Sequence, residues 1–202
     1  MKDSAGQRER SIITAAIRGE SDAVRDLWQD HRRWVAVILL AHKPREVDLE
    51  DLLQEVAMTL VRTIGELRDE AAFKPWLRTV SINAARASGR KVRTHRRYFE
   101  GAVSADEVGT DTGVMDTKRS TVPDEATNEE ARRLLALATE LPEGYREPLL
   151  LRCVRGMSYR AIAQLLSLPE TTIEARIARG RRMLRELALA DAQGAISMEG
   201  RK

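Results

Sequence analysis

From Asp48 the chain reads DLEDLLQEVAMTLVRTI, and Leu49, Leu52, Leu53, Val56 and Leu60 recur at i, i+3, i+4, i+7 and i+11. That period is one face of an α-helix. Asp48 stands where a side chain can cap the first free amides, with Asp51 three residues on as a variant of the capping box. Upstream, Ile12–Ile17 predicts a helix broken near Gly19, with Ser21-Asp22 placed to cap the next one. The next helix, from about Asp22 to Leu40, turns Ala23, Leu27, Trp28, Trp34, Val35, Ile38 and Leu39 to one side and ends at Pro44. Residues 1–10 are charged and read as a frayed end. Gly65 to Lys74 reads as a loop or short turn, after which Pro75 can open a further helix at its first turn. Trp76, Leu77, Val80 and Ile82 are its apolar positions.

A second set of helices follows far down the chain. Glu129–Thr139 carries Leu134, Leu135, Leu137 and Ala138. Ser158 then caps a short segment, SYRAIAQLL; Ser167-Leu168-Pro169 interrupts the period, and a helix restarts at Glu170. Two helices across so tight a break are the signature of a helix-turn-helix. Ile162, Ala163, Leu166, Leu168, Ile173 and Ile177 are its expected core. In the second of these helices Ile173, Ile177, Gly180 and Leu184 share a face, leaving Thr171, Thr172, Glu174, Ala175, Arg179, Arg182 and Arg185 on the other face and its flanks. Short polar groups at a helix start can approach base edges, and arginines beyond them can reach phosphates.

Between the two sets, residues 100–128 are rich in Asp, Glu, Thr, Ser and Gly, without helical period or enough apolar residues for a core. The reading is all-α: two small helical domains, 1–99 and 129–190, joined by an acidic flexible linker, 100–128, with a flexible tail at 191–202. Composition agrees. Of 202 residues, 43% are hydrophobic but only 4% aromatic, with few β-branched runs for a sheet.

The net charge of +3 hides local segregation. Arg86, Arg90, Lys91, Arg93, Arg96 and Arg97 fall within twelve residues with no acid among them, and such a run favours an anionic neighbour. Asp51, Gln54, Glu55 and Met58 make the non-leucine face of the Asp48 helix. A face of this kind is either solvated or a docking surface for a basic helix. The single cysteine, Cys153, excludes an internal disulfide and is expected to be a core thiol. No signal peptide or membrane-length apolar run is recognisable, so a cytoplasmic setting without membrane insertion is expected.

Taken together, these motifs carry a family resemblance. DLEDLLQEV (48–56) resembles the region-two docking helix of bacterial RNA polymerase sigma factors. FKPWLRTVSINAARASGRKVR (73–93) resembles the promoter-melting, −10-reading helix that follows it. Residues 141–187 are similar to region four of the small extracytoplasmic-function (ECF) sigma factors, a group that has only these two regions. The resemblance implies a sigma factor that brings core RNA polymerase to promoter DNA, without catalysis, cofactor or metal. Asp51, Gln54, Glu55 and Met58 would face polymerase. Trp76, Arg78, Asn83, Arg86, Arg90, Lys91 and Arg93, with the loop around Glu66–Lys74, would meet the −10 element. Ser158, Tyr159, Thr171, Thr172, Glu174, Ala175, Arg176, Arg179 and Arg182 would meet the −35 duplex. An anti-sigma factor is implied by the family alone.

Several positions depart from the family's usual pattern. Ala87 stands where aspartate is common, Ser88-Gly89 replaces bulkier residues and predicts a looser helix, and Thr171, Glu174 and Ala178 alter the recognition helix. A carboxylate at Glu174 repels phosphate but can accept from a cytosine amine. The alternative reading is a helix-turn-helix regulator acting without polymerase, which leaves the 48–63 and 76–97 helices unexplained. A third, Mg²⁺ held by Asp48, Asp51 and Glu55, lacks a nucleophile or a phosphate-cradling loop. His31, His42 and His95 are dispersed, without zinc spacing.

Overall fold

The computed structural model describes residues 2–100 and 125–199, and every element among them is helical. The chain divides into two units, Met1–Thr110 and Asp111–Lys202. The first holds α1 (Lys2–Ile17), α2 (Ser21–His42), α3 (Leu49–Thr63), two 3₁₀ turns (Ile64–Glu66 and Glu70–Ala72) and α4 (Phe73–Glu100). The second holds α5 (Glu125–Ala138), α6 (Glu143–Cys153), α7 (Tyr159–Leu166) and α8 (Glu170–Glu199). The expected linker, 100–128, lies mostly outside the described residues; Glu100 closes α4, and 125–128 already belong to α5.

In the first unit α2 is central, packing against α1, α3 and α4. All five residues of the predicted leucine-rich stripe of α3 are buried. They meet Leu27, Trp34, Val35, Ile38 and Leu39 of α2 and Leu77, Ile82 and Ala85 of α4 in one core. The Asp48 carboxylate caps α3 by accepting from the Glu50 and Asp51 amides, a contact worth about 1 kcal/mol. Lys43 is extended, as a residue before proline must be, and so α2 stops at His42.

Two expectations are corrected here. Residues 2–10 are helical rather than frayed, because α1 buries Ile13 and Ala16 and is held by its polar side chains, as described below. Ser21 does not cap α2: Glu20 occupies the cap position without a side-chain bond. The chain instead turns sharply before it. The Glu20 amide donates to the Ala15 carbonyl and the Gly19 amide to Ala16, the paired bonds of a Schellman turn, with Gly19 in the left-handed region at φ 88°.

In the second unit α8 packs against α5, α6 and α7. Leu137, Leu141, Leu149, Leu150, Leu151, Ile162, Ala163, Ile173 and Ile177 form the core, while Leu166 and Leu168 are half-buried. The turn of the helix-turn-helix is a second Schellman motif. The Leu168 amide donates to the Ala163 carbonyl and the Ser167 amide to Gln164, with Ser167 at φ 54° where glycine is the usual occupant. Pro169 then supplies the carbonyl that starts α8, accepting from Thr172 and Ile173.

Cys153 is exposed, not a core thiol: it lies at helical spacing from buried Leu149 and Leu150 but is the last residue of α6. The helix α8 also continues to Glu199, through most of the predicted tail. Its ALADAQGAISM stretch holds no proline, and good helix formers dominate it.

Candidate partner-helix and nucleic-acid surfaces

Three surfaces follow from which sides of the helices are packed. With its leucine stripe turned inward, α3 turns Asp51, Gln54 and Met58 to solvent, and Glu55 is half-buried beside them. Val61, 65% exposed, continues the i, i+3, i+7, i+10 row begun by Asp51, Gln54 and Met58. The surface is thus acidic at one end and apolar at the other, which suits a basic, amphipathic partner helix. Sequence reasoning missed Val61, although the helical spacing alone would have found it. The Asp48 carboxylate is engaged in the cap, and among the described residues no group of His, Cys, Asp and Glu is arranged to hold a metal ion.

On α4, Asn83, Arg86, Arg90 and Arg93 are all exposed and again follow i, i+3, i+7, i+10, so they make one row. Trp76, two turns before Asn83, continues it; its ring is half-buried, 6.1 Å from Phe73. Arg78 stands apart on the packed side of the helix, half-buried, and Lys91 is exposed on the far flank of the row. The side chains of Arg96, Arg97, Tyr98 and Phe99 lie outside the described ones. A row of cations led by an aromatic ring can hold a backbone and stack an unpaired base.

The loop before α3 leans on this helix. The Lys43 ammonium donates to the carbonyls of Pro44 at 3.1 Å, Arg45 at 3.5 Å and Val47 at 2.6 Å. Burial lowers its pKa, and the nearby Asp48 and Glu46 charges offset this only in part. Pro44 in turn sits so close to Gly89 that an added Cβ would lie 3.1 Å from its Cγ. Gly89 therefore does not loosen α4, which is continuous and buried here; it makes room for the Pro44 loop.

In the second unit, Thr171, Glu174, Ala175, Arg179 and Arg182 are exposed on the first turns of α8, with Thr172 and Arg176 half-buried at the edges. Arg182 comes within 3.7 Å of Glu186, an open i,i+4 pair worth at most about 0.5 kcal/mol. Ser158 and Tyr159 do local work. The Ser158 hydroxyl accepts from the Ala161 amide, and the Arg152 guanidinium lies 5.0 Å over the Tyr159 ring.

The region-two model of the sigma-70 family matches residues 27–97, and its region-four model matches 131–184. A curated relative, the RNA polymerase sigma factor CarQ of Myxococcus xanthus, is 30% identical over 84% of this chain and 91% of its own. The ECF RNA polymerase sigma-E factor of Haemophilus influenzae is 28% identical over 87% and 93%. The chain belongs to the ECF sigma factors. As such it binds core RNA polymerase and directs promoter-specific transcription initiation through −10 and −35 elements, in a family of initiation factors rather than enzymes.

Solved sigma factor structures share the fold. CnrH, in a complex with the cytosolic domain of CnrY, aligns with a TM-score of 0.59 at 23% identity, over 91% of this chain and 98% of that one. RpoE of Bartonella quintana, in a complex with the anti-sigma factor NepR, aligns at 0.50 and 23%, over 82% and 94%. Among the described residues no helix of this sigma factor is long and apolar enough to cross a membrane.

Proposed function

We propose that the sigma factor divides its work among three faces. Asp51, Gln54, Glu55 and Met58 of α3, extended by Val61, dock on core polymerase. Trp76, Asn83, Arg86, Arg90 and Arg93 of α4 hold the opened −10 strand, with Lys91 and Arg78 at its borders. Thr171, Thr172, Glu174, Ala175, Arg176, Arg179 and Arg182 of α8 read the −35 duplex, and Ser158 and Tyr159 set the pitch of α7 beside it. Residues 100–128 connect the two promoter contacts. The protein works in the cytoplasm and contributes no catalysis. An anti-sigma protein restrains it; of the two structural neighbours, RpoE is in complex with the anti-sigma factor NepR and CnrH with the cytosolic domain of CnrY.

The observation that carries this reading is the row Asp51–Gln54–Met58–Val61, polar then apolar, on the side of α3 opposite a fully buried leucine stripe. Tagged protein purified from its host should retain core RNA polymerase, and the Asp51→Lys/Glu55→Lys variant should lose it while keeping its helical circular dichroism. Normal retention by that variant would move the docking face elsewhere. Specific duplex binding by the free protein, with no polymerase retained by either form, would favour a polymerase-independent regulator.

A further inference from the structure

α1 precedes the region-two match, and its polar side chains reach the aromatic group behind the −10 face. Glu9 is the hub. One carboxylate oxygen lies 3.0 Å from His31 Nε2, and the Lys74 ammonium donates to the other at 3.0 Å. His31 is buried, and its Nδ1 faces the Leu27 carbonyl at 2.9 Å. A carbonyl oxygen only accepts, so the contact to Leu27 places a hydrogen on Nδ1. Thus fixed from two sides, the imidazole stands edge-on to Phe73 at 5.1 Å, and to Trp34 at 6.5 Å. Phe73 is fully buried and lies 6.1 Å from the half-exposed Trp76. α1 also grips the 3₁₀ turn just before α4, because the Thr14 hydroxyl donates to Glu70 at 3.0 Å and Arg10 approaches the same carboxylate at 3.8 Å.

We propose that Glu9 and His31 are positioning residues that act through Phe73 to set the ring of Trp76 for an unpaired base. This rests on the assignment of Trp76 to the −10 strand. Rings packed edge-on have preferred geometries, so a fixed imidazole restricts Phe73, and Phe73 in turn backs Trp76. Partial burial raises the Glu9 pKa, but hydrogen bonding and charge from Lys74, together with His31, outweigh it and leave the carboxyl below its ordinary value of 4.5. Its ionised contacts are therefore at full strength above that value and are lost as pH falls through the lowered one. The titratable groups facing it are His31 from α2 and Lys74 from α4, with Arg10 and Glu70 beside them.

Two readouts test the proposal. With 5-fluorotryptophan incorporated, the Trp76 resonance, assigned with Trp76→Phe, should move as pH falls below the ordinary carboxyl range, and should not move in Glu9→Gln. Separately, wild-type holoenzyme can select a promoter fragment from a randomised library, and permanganate reactivity then reports −10 opening. Glu9→Ala should open that fragment about three- to tenfold less, with polymerase retention and −35 protection unchanged, at a temperature where the variant is fully helical. A Trp76 signal identical in wild type and Glu9→Gln throughout the titration would overturn the proposal. So would normal opening by Glu9→Ala with only its thermal midpoint lowered, since Glu9 would then merely brace the fold. The resonance test needs no promoter, so its failure is distinct from a wrong assignment of Trp76.

Discussion

α4 and α8 are both long helices carrying a run of arginines, and in the proposed function each buries one side and offers the other to DNA, but they are anchored differently. The start of α4 adds aromatic and polar anchors to the aliphatic Leu77: Phe73 against His31 and Lys74 against Glu9. The start of α8 rests on aliphatic residues, Ile173 and Ile177, with Gly180 against Leu149 and Tyr145. An aliphatic anchor fixes how deep a helix lies and which side it turns outward. Interlocked rings and hydrogen bonds can also fix the direction of one outward side chain. That suits the proposed division. A duplex groove needs a helix at the right depth carrying short side chains, whereas an unpaired base needs one ring held in place.

The largest expected effect separates the two faces through that ring. Trp76→Ala should cost about 1–3 kcal/mol in holoenzyme binding to a single-stranded −10 segment, the usual worth of one stacked base. Binding to a −35 duplex should not change. Fluorescence anisotropy with each labelled strand measures both, and an equal loss on the two probes would end the division of labour between α4 and α8.

The arginines sharpen the same contrast at smaller scale. Arg179→Ala/Arg182→Ala should flatten the salt dependence of duplex −35 binding by about 1.8 in log–log slope, at roughly 0.9 per lost phosphate contact. Arg86→Ala/Arg90→Ala should flatten that of single-stranded −10 binding by about 1.4, since a single strand releases fewer counterions per contact. A loss of affinity with an unaltered slope would mean that these guanidinium groups meet bases or protein, not phosphates.

What could be read in the chain was local. The α3 stripe, the Asp48 cap and the Ser158 and Pro169 boundaries depend on residues within a turn or two of one another, so spacing reveals them. The face of α3 could be read for the same reason, as could the row on α4, once the buried side was known. What escaped was set by distant partners. Residues 2–10 are mostly polar and show no stripe, yet they fold because Glu9 meets His31 and Lys74 and Thr14 meets Glu70, contacts made only after α2 and α4 are in place. Phe73 gave no sign at a helix start of being fully buried. Cys153 shares a helix face with buried Leu149 and Leu150, but it is the last residue of α6 and is exposed. Gly89 suggested a loose helix because Pro44, the neighbour that requires it, is far away in sequence.

That glycine supplies the smallest effect and the closest comparison between the helices. Glycine inside a helix costs up to about 1 kcal/mol relative to alanine, so each Gly→Ala change begins with the same gain. At Gly180 the new methyl would find Leu149 Cδ2 and the Tyr145 carbonyl oxygen at 3.5 Å, an ordinary contact. Gly180→Ala should therefore stabilise its unit by about 0.5–1 kcal/mol, a rise of several degrees in its thermal midpoint. At Gly89 the methyl would lie 3.1 Å from Pro44 Cγ. The proline ring is stiff, and the Lys43 ammonium holds the loop carrying it through three carbonyls. Relief by a few tenths of an ångström must move that whole loop, so Gly89→Ala should gain nothing or lose stability in thermal unfolding followed by circular dichroism. A gain equal to that at Gly180 would show that the loop yields freely. The Lys43 cradle would then not fix the height of Asp48, and with it the start of α3, above α4.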